Sequence, residues 1–296
     1  MKISVGPLLY LWERDAALQF YAELCDAPVD IVYLGEVVCS KRRLIRREDW
    51  LEIAQALTAA GKEVVVSTLA LIEAESELSS LSRLVNNTVG LVEANDYAAV
   101  NALAGREFVA GPHINVYNEA TLALLADLGA RRWVAPVELA LATIATLSES
   151  RPAGMQFELF AYGRLPLAFS ARCFTARKYR RAKDECEFIC RQHPDGLTLY
   201  SREDQPFLTL NGIQTQSAAV QNLHPQLNAI RLAGVDIVRL SPQSNDFLSV
   251  VQAFRDTIDG ARKPASFPES RLPGGYCDGY SSGAAGLVHE TPEPRS

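Results

Sequence analysis

The sequence predicts an α/β protein, a (β/α)8 barrel that carries a cysteine-bearing insertion between its seventh and eighth strands. Apolar runs rich in β-branched residues alternate with amphipathic stretches, and eight such runs occur along the 296 residues. Eight strand–helix units match the count of this barrel. A doubly wound open sheet is the alternative, but no glycine-rich phosphate-binding turn follows the first run.

The strands are predicted from these apolar runs and the helices from the stretches between them. In chain order, the predicted strands cover 3–5, 30–34, 64–68, 90–93, 107–110, 133–135, 157–160 and 235–240. Between the second and third lies a predicted helix over 47–60, in which Trp50, Ile53 and Leu57 share an apolar face and which Gly61 ends. Parallel strands joined by such helices are therefore expected.

One interval is much longer than a single helix requires, and it separates the seventh predicted strand from the eighth. We place an insertion there, at about 163–216, within a single barrel domain over 1–260. It begins with a basic, cysteine-bearing stretch over 163–196 and continues with a predicted hairpin of strands 197–200 and 207–210. A helix over about 217–232 would restore the barrel pattern. The remaining residues, 261–296, are rich in glycine and proline and predict an irregular, partly mobile tail.

Composition narrows the classes of function. The net charge of −6 gives no whole-chain attraction to nucleic acid or to an anionic membrane. No apolar run reaches the roughly 18 residues of a membrane span, and the first residues lack a signal-peptide pattern, so a cytoplasmic protein that is not an integral membrane protein is expected. No Ser-His-Asp signal, HExxH motif or P-loop supports a hydrolytic or nucleotide-binding function.

The six cysteines are the residues that point to chemistry. In a reducing compartment they stay thiols, so their positions must indicate their role. Cys186 and Cys190 are four residues apart, which would place both on one face of a helix, and Cys173 lies in the same insertion. An iron–sulfur cluster takes four thiolates, whereas structural zinc sites usually show two close pairs of ligands. The alternative is that these cysteines are simply buried in a core, but their neighbours are strongly polar.

A fourth ligand could come from one of four residues: Cys25, Cys39, Cys277 or His193. Cys39 follows the second predicted strand and would lie at the rim where barrels build their active sites. Cys25 falls on the apolar face of a predicted helix and is better explained as core packing. Cys277 belongs to the predicted mobile tail, which is a poor place for a ligand.

Charges near these cysteines would favour a bound cluster. Seven Lys or Arg residues and three acidic residues lie between Arg172 and Arg191, and Lys41, Arg42 and Arg43 follow Cys39 directly. Nearby cations are expected to lower thiol pKa values and to offset a cluster's negative charge. Acidic residues also recur near strand ends, where they could position a substrate or transfer protons: Glu36, Glu93, Glu138 and Glu158.

Longer segments of the chain resemble the U32 peptidase-like family. They lie at 33–36, 39–43, 67–71, 136–139, 165–177, 184–187, 211–215 and 238–242. Within the family they are most similar to the branch that acts in anaerobic ubiquinone biosynthesis. Many family members draw all their cluster ligands from the insertion and beyond, whereas here one would come from the second strand–helix loop. That difference fits this branch and weakens an analogy with the peptidases.

The resemblance implies a [4Fe-4S] cluster held by Cys39, Cys173, Cys186 and Cys190. It also implies a heterodimer with a UbiU-like protein, a lipid-binding accessory protein, and a prenylated aromatic ubiquinone precursor as substrate. Together these would form an oxygen-independent hydroxylation system in which the chain is an iron–sulfur subunit. The alternatives are a U32-type peptidase and a non-catalytic scaffold with a structural cluster.

Overall fold

The computed structural model describes residues 1–88, 90–261 and 267–289, and eight of its strands close into a parallel barrel. The barrel strands are β1 (Lys2–Val5), β2 (Ile31–Leu34), β3 (Glu63–Ser67), β4 (Leu91–Ala94), β5 (Phe108–Ala110), β6 (Ala130–Val134), β7 (Gln156–Phe169) and β11 (Ile237–Leu240). Neighbouring strands pair in parallel, and β11 closes the ring by pairing with both β1 and β7. The predicted (β/α)8 fold is confirmed.

Helices follow the barrel strands and cover the outside of the ring. They are α1 (Arg14–Asp26), α2 (Arg47–Ala59), α3 (Glu75–Asn87), α4 (Tyr97–Leu103), α5 (Glu119–Leu128), α6 (Leu141–Glu149), α8 (Leu227–Leu232) and α9 (Phe247–Ile258). Their apolar faces pack against the strands in the largest buried cluster of the described residues, which contains Leu24, Leu57 and Phe254. Burying these faces is the main stabilising contribution to the fold.

The insertion begins where β7 continues beyond the barrel. There β7 pairs with antiparallel β10 (Gln214–Asn222), which pairs with β9 (Pro206–Asn211), which pairs with β8 (Leu197–Tyr200). The predicted hairpin is therefore present as β8 and β9. The insertion lies over the C-terminal end of the barrel, because Asn211 donates to the Leu9 carbonyl at 2.8 Å and Tyr10 bonds to Gln216.

The predicted helix over 217–232 is wrong in its first half. Residues up to Asn222 extend β10, because that backbone finds hydrogen-bonding partners in β7. Pro225 then lies in a short 3-10 turn (His224–Gln226), and α8 begins only at Leu227. A strand partner distant in sequence overrides the helical spacing of the apolar residues.

The C-terminal segment is more ordered than its composition predicts. Tyr276 and Cys277 form β12, which pairs in parallel with β10, and a short helix α10 (Gly279–Ser282) follows. Residues 262–266 and 290–296 of the predicted tail lie outside the described residues.

Candidate functional site

The loop after β2 holds Cys39 at the C-terminal rim of the barrel. Gly35 has φ of +107°, and a Cβ there would lie 2.8 Å from the Ser67 carbonyl oxygen, so only glycine lets the chain pass so close to β3. The Glu36 carboxylate then accepts hydrogen bonds from the Val38 and Cys39 amides at 2.8 and 3.0 Å. These contacts fix the backbone that carries the Cys39 thiol.

Cys173 is positioned by the end of the β7 extension. It directly precedes a short helix, α7 (Phe174–Lys178), and its sulfur accepts a hydrogen bond from the Ala176 amide at 3.4 Å. The Gly212 carbonyl accepts from the Phe174 amide, and Thr175 accepts from the Gly212 amide at 3.0 Å. The turn between β9 and β10 therefore holds Cys173 beside the barrel mouth.

Cys186 and Cys190 do not lie on one continuous helix, so that prediction is wrong. Cys186 ends a 3-10 turn (Lys183–Glu185), and Cys190 lies in a second one (Ile189–Gln192). Between them Glu187 and Phe188 have φ of 47° and 54°, in the left-handed region that interrupts a right-handed helix. Spacing in sequence could not reveal this break.

The structure nevertheless brings the four predicted cysteines to one region of the rim. Cys173 interacts electrostatically with Cys39 and with Cys190, and Cys190 interacts with Cys186 as well. Cys39 and Cys173 also pack against one apolar cluster, formed by Leu9, Val37, Val38 and Ile213. Three separate segments of the chain thus meet here, and each contributes thiols. We refer to these four residues as the cysteine group.

Arg42 is the one cation buried beneath the cysteine group, among the described residues. Its side chain is 2% exposed, donates to the Leu9 carbonyl and to Asn211 Oδ1 at 2.6 and 2.8 Å, and interacts electrostatically with Cys39 and Cys190. The expected lowering of the thiol pKa is not found at Cys39 or at Cys190. Burial raises the pKa of Cys39 and of Cys190, and Arg42 opposes this only in part.

Several other cations of the basic stretch are paired with carboxylates. Lys41 pairs with Asp184, Lys183 with Glu73, and Arg181 with Glu187. The Lys41 ammonium also donates to the Lys183 carbonyl at 3.2 Å, which joins the β2 loop to the insertion. The net positive charge that the sequence predicts around the cysteines is thus partly neutralised locally.

The other ligand candidates lie elsewhere or have partners. Cys25 packs against the core from α1, and its thiol donates to the Tyr21 carbonyl, as its apolar helix face predicts. Cys277 is fully buried against Val137, Phe160, Leu165 and Ala219, and burial raises its pKa to about 12. It is a core thiol, at a position that the sequence places in an irregular tail. The His193 ring bonds to the Tyr179 hydroxyl at 2.7 Å.

Two of the acidic candidates are buried inside the barrel as ion pairs. Arg239 contacts Glu93 and Glu158, each at 2.7 Å, and Glu158 also accepts from the Ser4 and Tyr33 hydroxyls at 2.6 Å. Burial alone would raise the pKa of Glu158, but Arg239 and Arg132 together hold it below its ordinary value. Glu158 therefore stays charged, and the two carboxylates together position Arg239.

The remaining two acids have different positions. Glu36 supports the Cys39 loop and lies 3.8 Å from the Arg42 guanidinium, and burial raises its pKa. Glu138 is exposed and accepts a hydrogen bond from the Tyr117 hydroxyl. The structure thus places none of the four acids as a free carboxylate in the barrel mouth.

A pocket opens at the barrel mouth beside the cysteine group, with about 320 Å³ of empty space including open solvent. Its lining combines apolar residues with several polar ones. The residues that line it are Gly6, Pro7, Leu9, Val37, Glu93, Asn95, Pro112, His113, Phe160, Pro166, Arg239 and Ser241. Leu9 and Val37 belong both to this pocket and to the apolar cluster that supports Cys39 and Cys173.

Sequence reasoning missed three polar residues of this pocket: Asn95, His113 and Arg239. Asn95 and His113 follow β4 and β5 at their C-terminal ends, and Arg239 is a lone charge within the apolar β11. The charge in a buried strand was a signal that could have been used, because an unpaired charge is rarely buried. The other two are recognisable only when the strand ends are known to meet.

The cysteine group supplies the kind of donors that iron–sulfur clusters take, four thiols from one region of the rim. Within the part of the chain that the structure describes, no three His, Cys, Asp or Glu side chains lie close enough to hold a single metal ion. The fit to a cluster rests on the chemistry of these donors and not on a preformed geometry.

Comparison with known proteins assigns the family. The family model of peptidase family U32 matches residues 17–271. The chain belongs to peptidase family U32. The resemblance predicted from sequence segments is confirmed at this level. None of the described helices has both the length and the apolar composition needed to cross a membrane.

Several solved structures are similar to this chain, at low sequence identity. The U32 peptidase Mk0906 is 13% identical with a TM-score of 0.48, covering 82% of this chain and 93% of that one. A putative fructose-1,6-bisphosphate aldolase from Coccidioides immitis is 12% identical with a TM-score of 0.41, covering 90% of this chain and 80% of that one. A GH18 chitinase from Pseudoalteromonas aurantia is 9% identical with a TM-score of 0.44, covering 85% of this chain and 98% of that one.

Proposed function

We propose that this member of family U32 is an iron–sulfur subunit of an oxygen-independent hydroxylation system in anaerobic ubiquinone biosynthesis, similar to UbiV. The observation that carries the proposal is the cysteine group itself. Its four thiols come from three segments of the chain, and backbone amides in each segment make hydrogen bonds that hold it in place. A [4Fe-4S] cluster ligated there by Cys39, Cys173, Cys186 and Cys190 would supply one-electron chemistry at the barrel mouth.

Residues around the cysteine group support such a centre. The Arg42 guanidinium, buried beneath two of the thiols, would compensate negative charge when they are deprotonated. The Lys41–Asp184 ion pair holds the segment before Cys186 against the Cys39 loop. Carbonyl oxygens of Leu9 and Lys183 keep both cations in place.

The pocket offers a place for a substrate beside this centre. It lies at the C-terminal end of the barrel, where enzymes with this fold bind their substrates. The substrate in this proposal is a prenylated aromatic ubiquinone precursor. A UbiU-like protein would be the heterodimeric partner, and a lipid-binding accessory protein would present the precursor. Reduced thiols require a reducing compartment, so the proposed location is the cytoplasm.

Family membership leaves a peptidase as the second candidate, and a scaffold with a structural cluster is the third. Each predicts a different result from protein purified anaerobically. A redox subunit should contain about four iron and four sulfide ions per chain and show an electron-spin signal on reduction. A cluster that cannot be reduced and reoxidised would favour the scaffold. Cleavage of casein without a partner would favour the peptidase, and absence of iron would overturn the proposal.

A further inference from the structure

Four exposed cations lie close to Cys173 along the chain: Arg172, Arg177, Lys178 and Arg180. None of them forms an ion pair with a carboxylate in the part of the chain that the structure describes, although other cations of the same stretch do. We refer to these four residues as the basic patch.

The sequence around the basic patch leaves its charge uncompensated. No acidic residue occurs between Arg164 and Lys183. Of the acids that follow, Asp184 and Glu187 pair with cations outside the patch. Like charges held close together repel one another, so this arrangement does not stabilise the fold. A concentrated positive surface on a chain with a net charge of −6 therefore indicates a role in recognition.

The local structure keeps three of these cations on the outside of one helical turn. Thr175 and Ala176 are the buried residues of α7, whereas Arg177 and Lys178 are exposed. The Arg180 amide donates to the Arg177 carbonyl at 3.0 Å, so the chain turns directly after the helix. The Arg177 amide in turn donates to the Cys173 carbonyl at 3.1 Å. The basic patch thus begins about one helical turn from a thiol of the cysteine group.

The cysteine group itself reaches the surface beside the basic patch. All four of its residues are half-buried, unlike the fully buried Cys277. Tyr179 lies within the patch and is 38% exposed, and its hydroxyl bonds to the His193 ring at 2.7 Å. The His193 amide donates to the Cys190 carbonyl at 3.1 Å. The patch is therefore connected to two of the segments that carry the thiols, and it offers an aromatic contact among its charges.

We infer that the basic patch is the docking surface for a small acidic protein that carries one electron at a time. The patch attracts an acidic surface and the rest of this acidic chain repels it, so the charges orient the carrier toward the cysteine group. A nucleic acid is less suited, because its phosphates call for a longer stripe of cations than one that spans residues 172–180.

The inference rests on the proposed function for the cluster that receives the electron. In each encounter the carrier is oxidised by one electron and the proposed cluster is reduced by one, and no bond forms or breaks. A half-buried centre next to the docking surface keeps the distance between the two redox groups short.

The first test measures binding to the full chain by calorimetry under anaerobic conditions. The probes are a plant-type [2Fe–2S] ferredoxin, which is small and acidic, cytochrome c, which is small and basic, and an RNA hairpin. Ferredoxin should bind most tightly, and raising the salt from about 20 to about 300 mM should weaken it at least about tenfold. Tighter binding of cytochrome c or of the RNA, or an affinity that salt does not change, would overturn the inference.

A triple variant locates the surface. Arg177→Gln, Lys178→Gln and Arg180→Gln together should weaken ferredoxin binding by about tenfold at low salt, because three attractive charges are gone. The matched control combines Lys2→Gln, Arg131→Gln and Arg231→Gln, which remove three exposed cations at the opposite end of the barrel. The control has the same net charge and should bind ferredoxin to within about twofold of the wild-type chain. Equal weakening by both variants would contradict a docking surface at the basic patch.

The rate of electron delivery separates docking from a change at the centre itself. Reduced ferredoxin should reduce the iron-containing triple variant about tenfold more slowly than the wild-type chain. Photoreduced deazaflavin, a small reductant that needs no docking, should reduce both at the same rate. A variant slowed with both reductants would overturn the inference. So would loss of ferredoxin binding in the complex with a UbiU-like protein, since the patch would then be a subunit interface.

The binding test does not depend on the cluster. It reads the exposed charges of the chain at any iron content, and no cysteine is changed in it. A chain without iron that still binds ferredoxin through the patch would overturn the proposed function alone. A chain with iron whose ferredoxin binding ignores the patch would overturn the docking surface alone.

Discussion

Single residues decide the chemistry of the barrel mouth, and Arg239 is the clearest case. It is one charge in a buried strand, and two buried carboxylates hold it. The cysteines could be predicted from sequence, since three of them lie within one insertion and a fourth follows a predicted strand. Asn95 and His113 could not be predicted, because their role depends on which strand ends meet in space.

Glu158→Gln should destabilise the protein by about 3 kcal/mol at neutral pH, because Arg239 and Arg132 lose a buried charged partner. The pKa of Glu158 is lowered in the folded state, so its contribution is present above its ordinary value of 4.5 and is lost as the pH falls below it. The free energy of unfolding, measured with urea at several pH values, should therefore fall less steeply with decreasing pH in the variant than in the wild-type chain.

Glu107→Gln is the control for this measurement. Glu107 pairs with Arg131 at 3.0 Å, but both side chains are more than half exposed. Removing an exposed ion pair should cost less than about 1 kcal/mol. Equal losses for the two variants would show that the interior network contributes no more than a surface pair.

His113 should stay neutral in the folded protein well below pH 6, because burial lowers its pKa from 6.5 to about 3. Between pH 6.5 and about pH 3, the unfolded state binds a proton that the folded state does not bind. The free energy of unfolding therefore falls as the solution is acidified. Nuclear magnetic resonance of the imidazole ring at decreasing pH measures this directly. Protonation near pH 6.5 would show that the half-buried His113 ring is not desolvated at the pocket.

Among the individual elements, the extension of β7 beyond the barrel could not be predicted from the sequence. The strand predicted at 157–160 is the barrel part of β7, which extends to Phe169. Its second half exists because β10 pairs with it, and residues 217–222 of β10 fall in the helix that the sequence predicts. Short apolar runs with small residues fit either structure, so the partner decides between them.

Gly163 is the residue at which β7 leaves the barrel. Its φ is +128°, and a Cβ there would lie 2.6 Å from the Ser241 Cβ. Gly163→Ala should therefore lower the free energy of unfolding by about 3 kcal/mol, from backbone strain and overpacking together. Gly154→Ala, at a positive φ with open space around it, should cost about 1 kcal/mol. Equal effects in urea unfolding would contradict the close approach at Gly163.

The whole molecule combines a predictable barrel with an insertion that exposes aromatic residues at a sheet edge. Eight strand–helix units could be identified because each buries a continuous apolar run. The hairpin of β8 and β9 exposes Tyr200 and Phe207, each about half accessible, and β8 forms the edge of the described sheet. Exposed aromatic residues at a sheet edge are typical of interfaces.

Co-expression with a UbiU-like protein should give a 1:1 complex by sizing with light scattering. Tyr200→Ser combined with Phe207→Ser should weaken it by about tenfold, as the loss of interface anchors does. Leu232→Ser is the control, an exposed apolar residue on α8. A chain that stays monomeric with the partner at micromolar concentration would contradict the heterodimer.

The iron content of single cysteine variants, purified anaerobically, tests the central claim most directly. Cys39→Ala, Cys173→Ala, Cys186→Ala and Cys190→Ala should each lose most of the iron and sulfide, because each removes one thiolate of the cysteine group. The Cys25→Ala and Cys277→Ala variants should keep both, since these thiols pack in the core. Iron retained in the first four variants would contradict a cluster at this rim. Iron lost from the Cys277→Ala variant but retained in the Cys39→Ala variant would contradict it as well.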